Sequence, residues 1–253
     1  MLSTRQKQLL GPIFPIANNI RLFLLRYKYA GNKVLCPCCK STFREFSPFG
    51  NWKRKNSWCL KCQSLERDRL LWMYYENKTN LYKEPLKLLH IAPETIFFHH
   101  FKKQKNIEYY PVDIFPDLYP KGTKYFDLLH PDLAPNTFDV IICNHVFQYI
   151  EADAAAMKNL YDLLKPGGWA ILQVPLDKTK AVTYEDSSIT DPLERQKAFG
   201  LKEHVRFYGL DYGDRLKAAG FKVKVDDYTA EFSDEDNYKY GFWKGDAVYY
   251  CTK

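Results

Sequence analysis

Four of the chain's seven cysteines stand in two C-x2-C pairs, Cys36/Cys39 and Cys59/Cys62, with nineteen residues between the pairs. A C-x2-C pair on a tight turn delivers two thiolates to one metal from the same side. Two such pairs complete a tetrahedral sulfur shell of the kind Zn²⁺ takes. Protein fills all four positions, so the expected metal is structural rather than catalytic. Cys38 is the spare thiol of Cys36-Pro37-Cys38-Cys39. A redox pair would account for one C-x2-C but not for two. Between the pairs, Phe43, Arg44, Phe46, Phe49, Trp52, Lys53, Arg54, Lys55 and Trp58 interleave rings and cations. Two readings stay open there. The rings stack bases while the cations meet phosphates, or the rings are the core of a small module.

A second set of chemistry-bearing residues needs a larger frame to position it. Phe138–Cys143 is a near-continuous apolar run bounded by turn residues, which reads as a strand buried on both faces of a parallel sheet. Ala152 to Leu164 repeats apolar residues at helical spacing, and Lys165-Pro166-Gly167-Gly168 is expected to stop that helix before a second apolar run, Trp169–Leu176. Strand, helix, turn and strand make one right-handed βαβ unit. Leu86–Ile91 and Ile107–Ile114 read as further strands, Lys124–Leu128 as a short one, and Phe221–Tyr228 and Asp246–Lys253 as the last two. Asp113 closes the second of these strands. A carboxylate there can accept both hydroxyl protons of a ribose.

The string FDVIICNHVFQYI followed by LYDLLKPGGWAILQVP resembles the fourth and fifth strands of the class I methyltransferases that use S-adenosylmethionine (SAM). The resemblance implies a Rossmann-like α/β sheet of order 3-2-1-4-5-7-6 with strand seven antiparallel, and SAM as cofactor. It implies that Asp127 accepts from the adenine amino group, with Leu128 beside it. Asn144, His145 and Tyr149 fall where the family lines its methyl-transfer face. His145 there is either a general base or a helix-capping or core histidine. The first turn departs from the family's acid-x-Gly-x-Gly-x-Gly: His90 stands for the acid, Ala92 for the first glycine and Glu94 for the second. Glu94 is expected to supply the missing carboxylate to the cofactor's ammonium group. The whole chain is similar to bacterial SAM-dependent methyltransferases with an N-terminal four-cysteine module and an FGxxxHVRxY-like segment, here Phe199 to Tyr208. The strip 177–206 lies where the family carries substrate-binding insertions. His204 as base, with Arg195 and Arg206 as an anion clamp, are its expected contributions to catalysis.

These readings divide the chain into a basic amphipathic segment 1–30, a zinc ribbon with linking helix 31–81, and a methyltransferase domain 82–253. A length of 253 residues, 46% hydrophobic and 26% charged, suits one globular domain with an appendage. Residues 1–81 hold 15 Lys and Arg against 4 Asp and Glu, and the remainder 22 against 26. The basic third is therefore expected to meet RNA or an anionic membrane surface. Segment 1–30 itself reads either as a membrane-surface anchor or as a helix packed on the parent domain. No apolar run reaches the roughly 20 residues of a membrane span. Prolines and asparagines break the N-terminal apolar stretch, against a signal peptide. Paired cysteines of this kind point to a reducing compartment, hence a cytoplasmic protein, free or peripheral at the membrane. The acceptor class stays open among RNA, protein and a glycan or lipid-linked metabolite. The competing reading is a zinc-containing binding protein on a catalytically inactive methyltransferase scaffold, with the altered Ala92-Pro93-Glu94 turn as its support.

Overall fold

The computed structural model describes residues 13–50 and 53–253, with side chains from residue 20 onward. Arg5 and Lys7 of the basic segment and Trp52 of the aromatic stretch lie outside the described residues. The chain forms two compact units. One runs through Asn77 and takes in Tyr228–Asp246; the other holds Lys78–Asp227 and Ala247–Lys253.

The first unit opens on helix α1 (Ile13–Lys28), followed by two short antiparallel hairpins, β1 (Val34–Leu35) with β2 (Thr42–Phe43) and β3 (Ser47–Phe49) with β4 (Arg54–Trp58). Helix α2 (Glu66–Lys78) follows. Phe43 and Phe46 are buried with Leu22, Val34, Leu60, Cys36 and Cys59, so these rings are core. A module this small has too little other apolar mass to close around its centre. Arg69 on α2 is fully buried and donates to the carbonyls of Ser57 (2.9 Å), Ser64 (3.1 Å), Tyr240 (2.6 Å) and Gly241 (2.9 Å). The last two acceptors belong to the returning segment. Gly241 takes φ +65°, and a Cβ there would sit 2.5 Å from the Arg69 guanidinium.

The second unit is one seven-stranded sheet with helices. Its strands are β5 (Leu86–Ile91), β6 (Ile107–Asp113), β7 (Lys124–Tyr125), β8 (Phe138–Asn144), β9 (Leu164–Gln173), β12 (Lys222–Asp226) and β13 (Val248–Thr252). Helix α3 (Thr95–Phe101) follows β5, and α4 (Asp153–Leu163) joins β8 to β9. Between β9 and β12 come a two-stranded pair, β10 (Tyr184–Glu185) with β11 (Arg206–Phe207), helix α5 (Pro192–Phe199) and helix α6 (Tyr212–Ala218). The spatial order is β7-β6-β5-β8-β9-β13-β12, with β13 antiparallel to both its neighbours. Counted along the chain within this sheet, that is 3-2-1-4-5-7-6. The strand expected at Phe138 is buried along most of its length, as a central strand covered on both faces must be.

One local expectation is corrected. Lys165-Pro166-Gly167-Gly168 does not precede the strand but bulges within β9: Leu164 still pairs with Phe138, and regular pairing resumes at Val140 with Trp169. Gly167 takes φ +79°, and a Cβ on Gly168 would come within 2.8 Å of the Asp139 carbonyl. The glycines serve the bulge rather than a helix end.

Candidate active site and metal centre

The carboxyl ends of β5, β6 and β8 lie side by side, with Ile91 paired to Val112 on one flank and to Cys143 on the other. Here two of the three departures in the first turn, His90 and Glu94, meet each other. His90 is fully buried; its Nε2 donates to Glu94 Oε2 at 2.9 Å, and its Nδ1 meets the Tyr109 hydroxyl at 2.9 Å. The second Glu94 oxygen, Oε1, accepts from Asn144 Nδ2 at 3.1 Å. The turn after β5 is thereby tied to the end of β8. Asn144 is buried, and its Oδ1 has no protein partner. An orphaned buried acceptor beside a carboxylate is a place for a cation or a donor.

Ala92 takes φ +51°, the left-handed backbone for which glycine is the ordinary residue. The alanine that stands for the resembling family's first glycine thus holds a glycine-type conformation. His145 takes φ +57° at the end of β8, its backbone N–H donating to the Gln173 carbonyl at 2.7 Å. Two strained residues thus stand on neighbouring strand ends, where strain commonly serves function.

Asp113 is buried at the end of β6. Its Oδ1 accepts from the Phe115 N–H at 2.7 Å, and the Tyr119 hydroxyl also bonds to it. Burial nevertheless raises its carboxyl above the ordinary range. Asp127 is two residues beyond β7; it accepts from the Leu129 N–H at 2.9 Å, and His130 Nδ1 at 2.9 Å holds its carboxyl low. Leu128 is buried in the sheet's core, and its carbonyl accepts from Asn159.

The strip 177–206 follows the carboxyl end of β9. His204 is buried against the ring of Tyr149, 4.9 Å between centroids. Its Nδ1 donates to the Phe199 carbonyl at 2.9 Å, while Nε2 has no protein partner, and burial lowers its pKa. Arg206 is buried as well. Its nitrogens donate to Glu185 Oε2 (2.7 Å) and to the carbonyls of Phe147 (3.0 Å), Ile150 and Glu151 (2.7 Å). Around it, Arg215 bonds Asp153 (2.7 Å) and Glu185, and the Tyr208 hydroxyl bonds Asp153 (2.6 Å). Arg195 donates to the Ile189 carbonyl and faces Glu151 at 3.6 Å. Arg206 and Arg195 are each committed to protein partners, with Glu151 shared between them through its carbonyl and its carboxylate. This is not the geometry of an anion clamp. Arg206 staples the turn that carries Tyr149.

In the first unit, the sulfurs of Cys36, Cys39, Cys59 and Cys62 lie within 4.8 Å of one another, with Cys36 to Cys62 at 3.5 Å and Cys39 to Cys59 at 3.7 Å. Tetrahedral Zn–S bonds place sulfurs about 3.8 Å apart. The two knuckles repeat one another: Lys40 N–H donates to Cys36 O and Gln63 N–H to Cys59 O, each at 2.8 Å, with Lys40 at φ +58° and Gln63 at +65°. Cys38 is outside the cluster.

Residues 92–224, more than half of the chain, match a family model described as a methyltransferase domain. The chain belongs to the methyltransferase family. Its sheet order and antiparallel seventh strand are those of the class I, SAM-dependent members. No curated protein matches the sequence. Solved structures similar to this methyltransferase include a SAM-dependent methyltransferase from Archaeoglobus fulgidus, 14% identical, covering 76% of this chain and 96% of that one, with a TM-score of 0.49. Another, from Mesorhizobium loti, is 13% identical and covers 73% and 98%, at 0.47. A chain from a complex of the Haloferax volcanii Trm112 methyltransferase activator with a methyltransferase is 12% identical and covers 74% and 92%, at 0.45.

Sequence reasoning missed several partners of this methyltransferase's sites. Tyr109 behind His90 and Tyr119 on Asp113 carry no sequence mark. Ser64 did: Cys59-x-x-Cys62-x-Ser64 echoes Cys36-x-x-Cys39-x-Ser41. Both serine carbonyls accept from the first cysteine of their own knuckle at 2.9 Å, and the Ser64 hydroxyl also touches the Cys36 and Cys62 sulfurs.

Proposed function

We propose that the methyltransferase binds SAM across the carboxyl ends of β5, β6 and β8 and holds one structural Zn²⁺ in the four-cysteine cluster. The observation that carries the cofactor reading is the pairing of Glu94 with Asn144, with Asn144 Oδ1 left as a buried acceptor. Together they form the anionic, hydrogen-bond-accepting end that the cofactor's ammonium group needs. Asp113 takes the ribose hydroxyls, and Asp127 the adenine edge with its backbone turn. Bound SAM supplies an activated methyl group on a sulfonium. The chain's own part is to orient an acceptor in line and keep water away.

A base is needed only if the acceptor must lose a proton. His204 is the better placed of the two histidines. Its Nδ1–H is fixed by the Phe199 carbonyl, which leaves the lone pair on Nε2, and burial keeps the ring uncharged at neutral pH. Arg206 positions this corner rather than meeting the acceptor. The alternative of an inactive scaffold rested on the altered turn. Ala92 keeps the glycine-type backbone and Glu94 returns the carboxylate, so the alteration is compensated within the turn.

Zinc fits the first unit on charge as well as geometry. Four thiolates around Zn²⁺ leave a net double negative charge, and Arg69 is buried in the same unit within electrostatic reach of Cys36 and Cys59.

Calorimetry with SAM tests the cofactor reading, and methyl-labelled SAM in a cell extract identifies the acceptor. Absence of SAM binding at high micromolar concentration would return the inactive-scaffold reading.

A further inference from the structure

From Ile20 onward, helix α1 is apolar on the side that faces solvent. Its inner face is accounted for: Leu22 is buried, Leu25 and Tyr29 pack on the four-cysteine core, and Arg26 Nε donates to the Leu60 carbonyl at 3.0 Å. The opposite face carries Ile20 (56% exposed), Phe23 (68%), Leu24 (62%) and Tyr27 (85%). These four stand at i, i+3, i+4 and i+7, the spacing by which a helix builds one continuous stripe. Scattered exposed apolar residues need no explanation, but an aligned stripe of this kind marks a contact surface.

Charge narrows what the surface contacts. The helix has no acidic residue, and the first one in the chain is Glu45. Arg21 and Lys28, both exposed, flank the stripe on one side, a quarter-turn from its centre. At the helix's C-terminal end, Arg26, Lys40 and Lys61 line an open cleft with Ser41 and Thr42. A second copy of the chain meeting this face across a two-fold axis would bring like charges together with no acid in either helix to offset them. RNA would satisfy the cations but leave the stripe wet. An anionic lipid surface satisfies both. The helix is 16 residues long, about 24 Å, too short to cross a bilayer of about 30 Å. No helix among the described residues is long and apolar enough to cross a membrane.

We infer that α1 is a surface anchor that lies in the plane of an anionic bilayer. Ile20, Phe23, Leu24 and Tyr27 enter the boundary between headgroups and acyl chains, and Arg21 and Lys28 meet lipid phosphates. This inference is independent of methyl transfer, which it places beside a membrane without naming the acceptor.

Flotation of the full chain with vesicles tests it. The chain should float with phosphatidylcholine vesicles holding roughly 30 mol% phosphatidylglycerol and bind pure phosphatidylcholine about tenfold less. Phe23→Asp with Leu24→Asp should reduce flotation at least about tenfold, with zinc content, circular dichroism and SAM affinity unchanged. Arg21→Glu with Lys28→Glu, a pair of exposed positions outside the stripe, should abolish the preference for anionic vesicles and serves if the first variant fails to fold. The inference is overturned if the wild-type chain stays unbound with anionic vesicles, or if both variants float as it does. It is equally overturned if the wild type proves to be a dimer that Phe23→Asp with Leu24→Asp dissociates, or if it retains RNA but no vesicles.

Discussion

Glu94 Oε1 accepts a hydrogen bond from Asn144 Nδ2 at 3.1 Å, joining two residues fifty positions apart in the sequence. His90, which stands where the family has its acid, holds the other Glu94 oxygen. In this chain the carboxylate stands on the turn, and the buried histidine at the strand end is its support.

Glu94→Gln is therefore expected to weaken SAM by about 1.5–3 kcal/mol, the scale of a hydrogen bond to a charged group. His90→Asp places a second carboxylate in a fully buried position beside Glu94 and should cost more than about 2 kcal/mol of stability. Calorimetry and denaturant titration read the two effects separately. Equal SAM affinity for Glu94→Gln and wild type would remove Glu94 from the cofactor site.

Asp113 gives effects of opposite sign on stability and binding. Its folded pKa is raised by burial. A carboxyl raised on folding contributes stability below its unfolded pKa, and this is lost as pH rises through the folded value. Above its folded value the free protein thus carries an unfavourable buried charge. Asp113→Asn should raise the Tm of the cofactor-free protein at neutral pH and not below the ordinary carboxylate range. The same change should weaken SAM by about 1.5–3 kcal/mol. A lowered Tm at neutral pH would show that the Phe115 and Tyr119 hydrogen bonds outweigh desolvation.

Ala92→Gly relieves a left-handed alanine, a gain of about 1–2 kcal/mol, against about 0.4–1 kcal/mol for the freer unfolded chain. The first effect is larger, so urea unfolding should show a modest net stabilisation with SAM affinity retained. Ala92→Val, β-branched at positive φ, should be clearly destabilising.

Arg206→Ala should act on the fold before it acts on chemistry. Removing a buried guanidinium that pairs with Glu185 and caps three carbonyls should cost about 3–5 kcal/mol. Arg206→Lys should recover little, since one ammonium cannot reach the same acceptors. A variant that melts like wild type but fails to transfer methyl groups would instead restore Arg206 to the acceptor site.

For the metal, elemental analysis should find one zinc per chain, lost in Cys59→Ser and unchanged in Cys38→Ser. A native preparation without zinc and with all thiols freely reactive would refute the site. Chelation should unfold the first unit, because such a cluster draws much of its folding free energy from the ion.

What the sequence determined by itself was local and periodic. Apolar runs and turn residues marked the strands of the sheet, although the KPGG string proved to lie inside a strand, and the C-x2-C spacing marked the four-cysteine shell, because short-range geometry dictates both. Aromatic content between the knuckles was legible too, but not whether the rings faced solvent or core. Tertiary structure decided that for Phe43 and Phe46, which are buried because a small unit must spend rings on its own core. It also decided that Glu94 meets Asn144, which depends on the parallel register of β5 and β8 and on no local rule. Arg206 reads from sequence as an available cation. Only packing shows its donors committed to Glu185 and to the carbonyls of Phe147, Ile150 and Glu151. Segment 228–246 sits between two strands of the sheet in sequence, yet it completes the first unit because Arg69 needs its carbonyls. Helical periodicity showed α1 to be amphipathic, but with apolar residues on two sides it could not say which faced inward. The cysteine core took Leu22 and Leu25, and that choice left Phe23, Leu24 and Tyr27 to the outside.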